Sequence, residues 1–326
     1  MTCSNALPEC SVVLPVLDEA GTLLELHQRL TTAMAQSARS YEILYVNDGS
    51  RDATAQILDE LALRDPRVIV IHLARNFGQH AALFAGFAQV RGEVVVTLDA
   101  DLQNPPEEIP KLLARLGSDA DVVAGVRTNR RDPWVRRLAS RIVNGMVGRM
   151  TGVRLRDYGC LLRVYRRAVI DRLCACEESS VYFTALIAWL GARIVEVDVA
   201  HSPRKGGRSK YGWWKLLRVN LDLITGYSGL PVQLLSVGGA LGACTMSLLS
   251  AVAWFTWWVS GDSGWTVFWV AGLLALFFAQ VAAIGCVGEY VARALLQVKR
   301  RPRFVLRSEL SGPSVPTSRS GPCAKS

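Results

Sequence analysis

Two stretches of this chain are uncharged over more length than a globular helix needs. Val232 to Val259 and Trp265 to Val287 contain no Asp, Glu, Lys, Arg or His. Each exceeds the ~20 residues with which a helix crosses the hydrocarbon core of a bilayer. Between them Ser260-Gly261-Asp262-Ser263-Gly264 makes a polar turn. The region 231–296 therefore reads as a transmembrane helical hairpin whose ends emerge on one side. The alternative, a helical pair buried in a protein core, sits poorly with two such runs collared by basic residues at both ends.

Charge gives the orientation. Arg204, Lys205, Arg208, Lys210, Lys215 and Arg218 precede the hairpin, and Arg293, Lys299, Arg300, Arg301, Arg303 and Arg307 follow it. The turn carries only Asp262, so the positive-inside rule puts both flanks on the cytoplasmic side. The expectation is a multi-pass protein of the inner (cytoplasmic) membrane whose globular part, 1–210, faces the cytoplasm. Met1 to Cys10 lacks a basic start followed by an apolar run, so no signal peptide is expected. The chain as a whole has 37 basic against 28 acidic residues, a formal charge of +9. That balance suits an anionic partner. Its crowding beside the apolar runs favours the lipid bilayer, and no zinc-finger or helix-turn-helix pattern supports nucleic acid.

Around the hairpin, Tyr211 to Tyr227 mixes Leu216, Leu217, Val219 and Leu221 with Lys215, Arg218 and Asp222, the pattern of an interfacial amphipathic helix over 211–230. Trp213, Trp214, Trp257, Trp258 and Trp265 suit the membrane interface. The segment 297–326, basic and then rich in Ser, Pro and Gly, is expected to be a disordered cytoplasmic tail. Gly238, Gly239, Gly242 and Ala243 permit close helix packing and with it a homo-oligomer. The eight cysteines show no framework spacing and read as small buried thiols.

The first two hundred residues alternate short apolar runs with helical periodicity. Strands are expected at Cys10 to Val16, Tyr41 to Val46, Val68 to Leu73, Val94 to Leu98 and Val122 to Val126. Helices are expected at Glu19 to Ala35, Asp52 to Arg64, Gln79 to Val90 and Glu107 to Leu116. This rhythm, with strands that are nearly all apolar, predicts an α/β fold with a mainly parallel, Rossmann-like sheet covered on both faces. Ligands of such sheets lie beyond the C-terminal strand ends. Three of those ends are polar: Leu17-Asp18-Glu19, Asn47-Asp48-Gly49-Ser50 and Asp99-Ala100-Asp101-Leu102-Gln103. Asp, Asn and Ser serve equally well as caps and turn formers, so each end alone has a structural reading. In an extended segment Asp99, Asp101 and Gln103 point to one side, and their oxygens then suit a hard divalent cation, Mg²⁺ or Mn²⁺. Pro105, Pro106 and Pro110 and the missing loop glycine exclude an EF-hand, and no Walker loop, G-x-G-x-x-G or Ser-His-Asp pattern competes.

At these residues the chain resembles the family-2 glycosyltransferases of GT-A fold, and among them the polyprenyl-phosphate glycosyltransferases. The resemblance is carried by Arg75-Asn76-Phe77-Gly78-Gln79-His80, by Leu98 to Pro110, by Asp157-Tyr158-Gly159-Cys160-Leu161-Leu162-Arg163 and by Ser209-Lys210-Tyr211. It is strongest towards the bacterial undecaprenyl-phosphate 4-deoxy-4-formamido-L-arabinose transferases. It implies that Pro15, Asp18 and Glu19 line a nucleotide pocket, that Asp48 contacts the base, and that Asp99, Asp101 and Gln103 form the DxD-type metal and diphosphate site. Where that family often has Tyr-Asn-Glu after the proline, this chain has Leu17-Asp18-Glu19. Asp157 falls on the acceptor side, as catalytic base or as orienting residue. Arg204, Arg208 and Lys210 fall in a loop that closes over phosphates, and Gly206 and Gly207 give that loop freedom.

The implied reaction moves a sugar from a nucleotide-sugar, a UDP-sugar by resemblance, to a polyprenyl phosphate, with inversion, for cell-envelope glycan or lipid A modification. A leaving diphosphate needs its charge neutralised, which a cation at Asp99, Asp101 and Gln103 supplies. An acceptor phosphate is already ionised, so no strong base is required. Bringing two anions together requires positive charge, from Arg127 on the donor side and from Arg131, Arg204, Arg208 and Lys210 on the acceptor side, with Arg130 and Lys205 equally readable as solvated surface charge. Two rival readings stand beside this one: transfer to a polysaccharide or other acceptor, and a non-catalytic scaffold that binds nucleotide-sugars. The chain lacks the Gln-x-x-Arg-Trp motif of processive synthases.

Overall fold

Alternation of side chains builds the sheet and divides its core in two. In β1 (Cys10–Val16) the even-numbered residues Val12, Leu14 and Val16 enter one apolar layer, while Val13 enters the other. In β2 (Tyr41–Asn47), Ile43 and Tyr45 face the first layer, and Leu44 and Val46 the second. Such period-two burial on both faces is the signature of a sheet covered on both sides. The computed structural model describes residues 7–128, 155–176, 186–187, 189–202, 265–298 and 302–311, with isolated helical positions between 148 and 259. Two compact units emerge, Met1–Lys210 with Pro302–Ser326, and Tyr211–Arg301.

In the first unit the further elements are α1 (Leu23–Gln36), α2 (Thr54–Arg64), β3 (Val68–Leu73), α3 (Gln79–Phe87), β4 (Val94–Thr97), a 3₁₀ turn at Pro106–Glu108, α4 (Ile109–Arg115), β5 (Val122–Arg127), β6 (Arg163–Arg166), α5 (Arg167–Ala175) and β7 (Ile194–Val199). Leu23, Leu26, Leu30 and Met34 recur on one face of α1 and are buried in the first layer with Leu58 of α2 and Leu112 of α4. The second layer receives Leu83 and Phe87 of α3 and Ile170 and Leu173 of α5.

The sheet has eight strands in the order β7-β5-β6-β4-β1-β2-β3-β8. The five expected strands all run one way, as predicted, but the sheet is mixed. β6 lies antiparallel between β4 and β5, and β8 (Leu306–Ser311) lies antiparallel on β3. The expectation of a disordered tail over 297–326 therefore fails at Leu306–Ser311. Val305 accepts from the Ala74 amide at 2.9 Å, the Arg303 guanidinium sits 4.3 Å over the Phe84 ring and donates to the Cys176 carbonyl, and Gln89 donates to Glu309 at 3.3 Å. The physical reason is the open edge of β3: its backbone groups supply the pairing, and most side chains of β8 remain exposed. Among the described cysteines Cys10 and Cys160 are buried thiols as expected, whereas Cys174 is disulfide-bonded.

Glu42 is a buried carboxylate at the opposite end of the sheet from the polar strand ends. It accepts from Ser11 Oγ at 2.6 Å, and from the Arg91 amide at 2.8 Å and Nε at 2.7 Å. Ser11 Oγ in turn accepts from the Gly92 amide at 2.8 Å. Near the polar ends, Gly49 has φ +72°, and a Cβ there would lie 2.7 Å from Arg75 C and Asn76 N. The loop after β2 thus packs backbone to backbone on the loop after β3.

In the second unit, α6 (Trp265–Val298) is a continuous helix of 34 residues. Among the described residues no helix is long and apolar enough to cross a membrane; the full sequence of α6 is nonetheless uncharged from Trp265 to Val287. The interfacial helix expected over 211–230 lies outside the described residues.

Two stability changes follow. Glu42→Ala removes the acceptor of a part-buried guanidinium and a buried hydroxyl, and is expected to cost about 2 kcal/mol, seen as a lowered thermal midpoint. Gly49→Ala forces a side chain into a left-handed backbone against neighbouring main chain, with an expected loss of about 2 kcal/mol or more. A wild-type melting curve for either variant contradicts the packing described.

Candidate active site

The site begins where β1 and β4 part. Val13 accepts from the Leu98 amide at 3.2 Å, so odd-numbered residues of β1 turn their backbone groups towards β4. The β1–β4 ladder ends at Val13–Thr97, while β1 continues beside β2 as far as Val16–Asn47. Pro15, buried in the centre of the sheet, thus aims its missing N–H at a place where no ladder bond remains to be made. Chain order also reverses here, with β2 and β3 on one side of β1 and β4 on the other, which is the switch point that opens a crevice in this class of sheet.

One wall is made by the loops after β1, β2 and β3. Asp18, at φ 51°, donates its amide to Ser50 Oγ at 3.0 Å, and its Oδ1 accepts from the Arg51 amide at 2.8 Å. The Glu19 amide reaches Thr54 Oγ1 at 3.0 Å, and Glu19 Oε2 accepts from Thr22 Oγ1 at 3.2 Å. The same Thr22 hydroxyl lies 3.1 Å from the Ala100 carbonyl, which links this wall to the next. Asp48 is buried, with its amide on the Val16 carbonyl at 2.9 Å. Its Oδ1 accepts from the Phe77 amide at 2.7 Å and its Oδ2 from the Gly78 amide at 2.9 Å. Burial pushes this carboxyl up, against the lowering effect of the two amide bonds. The residue to which the resemblance gives a base contact is thus also the anchor of the loop that starts α3. Behind it, Asn47 accepts from the Ser50 amide and bonds His72 Nδ1 at 2.9 Å, while His72 Nε2 meets Asp59 at 2.8 Å.

The other wall is the stretch after β4. It is not extended as the period-two reading requires: the chain turns from Ala100, and Leu102 sits at φ 61° with its side chain buried. The turn replaces alternation as the device that groups the polar side chains. Asp101 accepts from the Gln103 amide at 3.1 Å and from Gln103 Nε2 at 2.9 Å. Asp99 accepts from Gln79 Nε2 at 2.6 Å and from Asn104 Nδ2 at 3.3 Å. Protein atoms enclose the Asp99 carboxyl although part of its surface stays open. Burial first and the neighbouring Asp101 second push it up to about 7, against Arg127, Gln79 and Asn104. Asp101 thus adds to the cost of ionising Asp99, a cost that a divalent cation beside the two oxygen donors relieves, so the residues fit Mg²⁺ or Mn²⁺. Among the described residues no group of three His, Cys, Asp or Glu side chains forms a metal cluster. Gln103 turns its amide NH₂ onto Asp101, which leaves Asp99 and Asp101 as the charged pair.

Arg127, at the end of β5, closes the site from the far side. Its Nε donates to Asp157 Oδ2 at 2.7 Å and its Nη2 to Oδ1 at 2.9 Å, a bidentate and largely buried pair. Asp157 Oδ1 also accepts from the Gly159 amide at 3.1 Å. Its carboxylate thus holds the Arg127 guanidinium at two points. Buried Arg163 supports the loop by donating to the Tyr158 and Cys160 carbonyls, both at 2.9 Å. The Cys160 thiol, pushed up to about 11 by burial, lies 3.9 Å from Asn104 Oδ1.

Arg131, Arg204, Arg208 and Lys210, with Arg130 and Lys205, lie outside the described residues. The chain positions from which their segments depart are described. The Thr128 amide donates to the Val199 carbonyl at 3.1 Å, and the Ser202 amide to the Gln103 carbonyl at 2.9 Å. Sequence reasoning missed Gln79, Asn104 and His72. For Gln79 the signal was the polar loop Arg75-Asn76-Phe77-Gly78-Gln79 leading from β3 into α3.

With this geometry in hand, comparison places the chain. The profile of "Glycosyl transferase family 2" matches residues 11–174. The undecaprenyl-phosphate 4-deoxy-4-formamido-L-arabinose transferase of Enterobacter sp. (strain 638) is 40% identical over 328 residues, spanning 98% of this chain and 99% of that protein. The protein of the same name from Pseudomonas fluorescens (strain Pf0-1) is 43% identical over 312 residues, 94% of this chain and 92% of its own. Among solved structures, mannosyl-3-phosphoglycerate synthase from Rubrobacter xylanophilus shares the fold at TM-score 0.53 and 16% identity, over 71% of this chain and 75% of that one. The mixed sheet is that of a GT-A, Rossmann-like unit, and the matched residues include Asp48, Asp99, Asp101, Arg127 and Asp157: the chain belongs to glycosyl transferase family 2.

Proposed function

We propose that this protein transfers a sugar from a UDP-sugar to undecaprenyl phosphate, inverting the anomeric centre, with Mg²⁺ or Mn²⁺ held by Asp99 and Asp101. The names of the relatives support the acceptor and point to a modified aminopentose as the sugar. One observation carries the reading. The Ser202 amide bonds the Gln103 carbonyl of the Asp99–Asp101 turn, Thr128 directly follows Arg127 of the Arg127–Asp157 pair, and Arg127 lies within electrostatic reach of Asp99.

Each part has a task in such a transfer. The loops of Asp18, Glu19 and Asp48 form the nucleotide side of the crevice. When bound, the cation neutralises the leaving diphosphate. Arg127, held in a fixed fork by Asp157, presents positive charge to a phosphate that must approach another anion. The acceptor oxygen is ionised at neutral pH, so Asp157 serves as a positioning residue and not as an obligatory base. The segments containing Arg131 and Arg204, Arg208 and Lys210 begin beside this charge and complete the acceptor side.

The acceptor is a lipid, and the reading places the second unit in the cytoplasmic membrane with the first unit on the cytoplasmic face. The uncharged runs Val232 to Val259 and Trp265 to Val287 and their basic collars support this. The exposed Leu273, Phe277, Ile284 and Val291 of α6 suit lipid contact.

Two experiments test the reading. Detergent-purified protein, given undecaprenyl phosphate and a panel of UDP- and GDP-sugars, is expected to yield a lipid-linked product of inverted configuration by NMR. The product should be lost with chelator and reduced about 10²-fold or more in Asp101→Ala. Absence of product with every donor, from folded protein that binds UDP, would falsify the reading. Asp157→Asn distinguishes positioning from base catalysis. It is expected to lower kcat about tenfold with an unchanged pH profile, whereas loss of a base costs about 10²–10⁴-fold and alters the profile.

A further inference from the structure

Asp99 lies at the end of β4, yet its shortest hydrogen bond comes from another part of the fold. Gln79 is the first residue of α3, and its Nε2 donates to Asp99 Oδ1 at 2.6 Å. The second donor, Asn104 Nδ2, is more distant at 3.3 Å and belongs to the same turn as Asp99. Gln79 is thus the donor that fixes this carboxylate from outside its own loop.

Its placement is heavily determined. Gly78 precedes it with φ +97° and ψ 157°, a backbone open essentially to glycine alone. The amides of Phe77 and Gly78 both point into the Asp48 carboxylate. The backbone that delivers Gln79 is therefore held by the carboxylate on the nucleotide side of the crevice. Nothing in the core needs the Gln79 side chain, which is exposed. Its chemistry also suits a cation site: an amide donor orients a carboxylate and leaves its negative charge in place, where Lys or Arg would neutralise it. Each carboxylate oxygen has a second lone pair, so the bond to Gln79 sets the carboxylate plane without using up its capacity for a metal.

We propose that Gln79 is the positioning residue for the cation-binding carboxylate Asp99. This rests on the reading above that Asp99 and Asp101 hold Mg²⁺ or Mn²⁺. Partners of this kind, bonded to a ligand and not to the metal, commonly govern 10–100-fold in metal affinity.

The test uses full-length protein in detergent and the variant Gln79→Leu, which keeps the size of the side chain and deletes the donor. Mn²⁺ binding is followed by EPR in the presence of saturating UDP, with a thermal melt as a check of folding. The expected result is a Kd for Mn²⁺ about tenfold higher in the variant, an unchanged melt, and kcat restored to within about twofold at saturating Mn²⁺. An unchanged Mn²⁺ affinity overturns the proposal, as does turnover that stays low at every Mn²⁺ concentration. Failure of wild-type protein to bind Mn²⁺ overturns it too. Wild-type protein that binds Mn²⁺ and UDP but transfers no sugar to lipid phosphate sinks the functional reading alone, and the Gln79 comparison still stands.

Discussion

The site depends on a ladder that stops early. β4 leaves β1 at Thr97, two residues before Asp99, while β1 runs on beside β2. A sheet centre is normally closed to solvent and intolerant of proline. Here the unmade rungs admit Pro15 and free the Leu98–Gln103 segment to turn. Backbone groups that lose ladder partners find side chains instead: Ser50, Asp52 and Thr54 receive the amides of Asp18, Ala20 and Glu19, and Asp48 receives those of Phe77 and Gly78. The loops are ordered by the same polar residues that line the crevice, which is why their burial costs little.

Charge is distributed by a consistent rule. Where a carboxylate is to remain electrically available, its partners are neutral amides, as at Asp99 and Asp101. Where a carboxylate serves to fix a guanidinium, both its oxygens engage it, as those of Asp157 engage Arg127. The crevice thus presents negative charge on the β4 side and a rigid cation on the β5 side within one low-dielectric setting, a preorganisation suited to separating like charges during transfer.

Much of this architecture was legible in the residues. β1 to β5 announce themselves as apolar runs bounded by turn formers, and the acidic strand ends mark the crevice. The rest was hidden for physical reasons. β6 begins and ends in arginine, and buried Arg163 is satisfied by carbonyls that no local pattern foretells. β7 alternates Val195, Val197 and Val199 with Glu196 and Asp198, and so lacks the continuous apolar run that marks β1 to β5. β8 is held by backbone pairing and carries no buried stripe. Within the site, Asp99 and Asp101 were found by position, but the reason for their grouping was misread, because Leu102 takes a left-handed backbone that its side chain does not favour. Gln79 resembled an ordinary helix start. The partnership of Arg127 with Asp157 spans thirty residues of sequence and has no signature in either neighbourhood.

The return of β8 to β3 bears on biogenesis. The unit that holds the crevice is assembled from both ends of the chain, with Tyr211–Arg301 lying between them in sequence. Ribosomes deliver roughly 5–20 residues per second, so on the order of ten seconds separates emergence of the last residue before that intervening segment from emergence of Leu306. Throughout that interval β3 lacks its outer partner, and an open strand edge of that kind is a template for pairing with another chain.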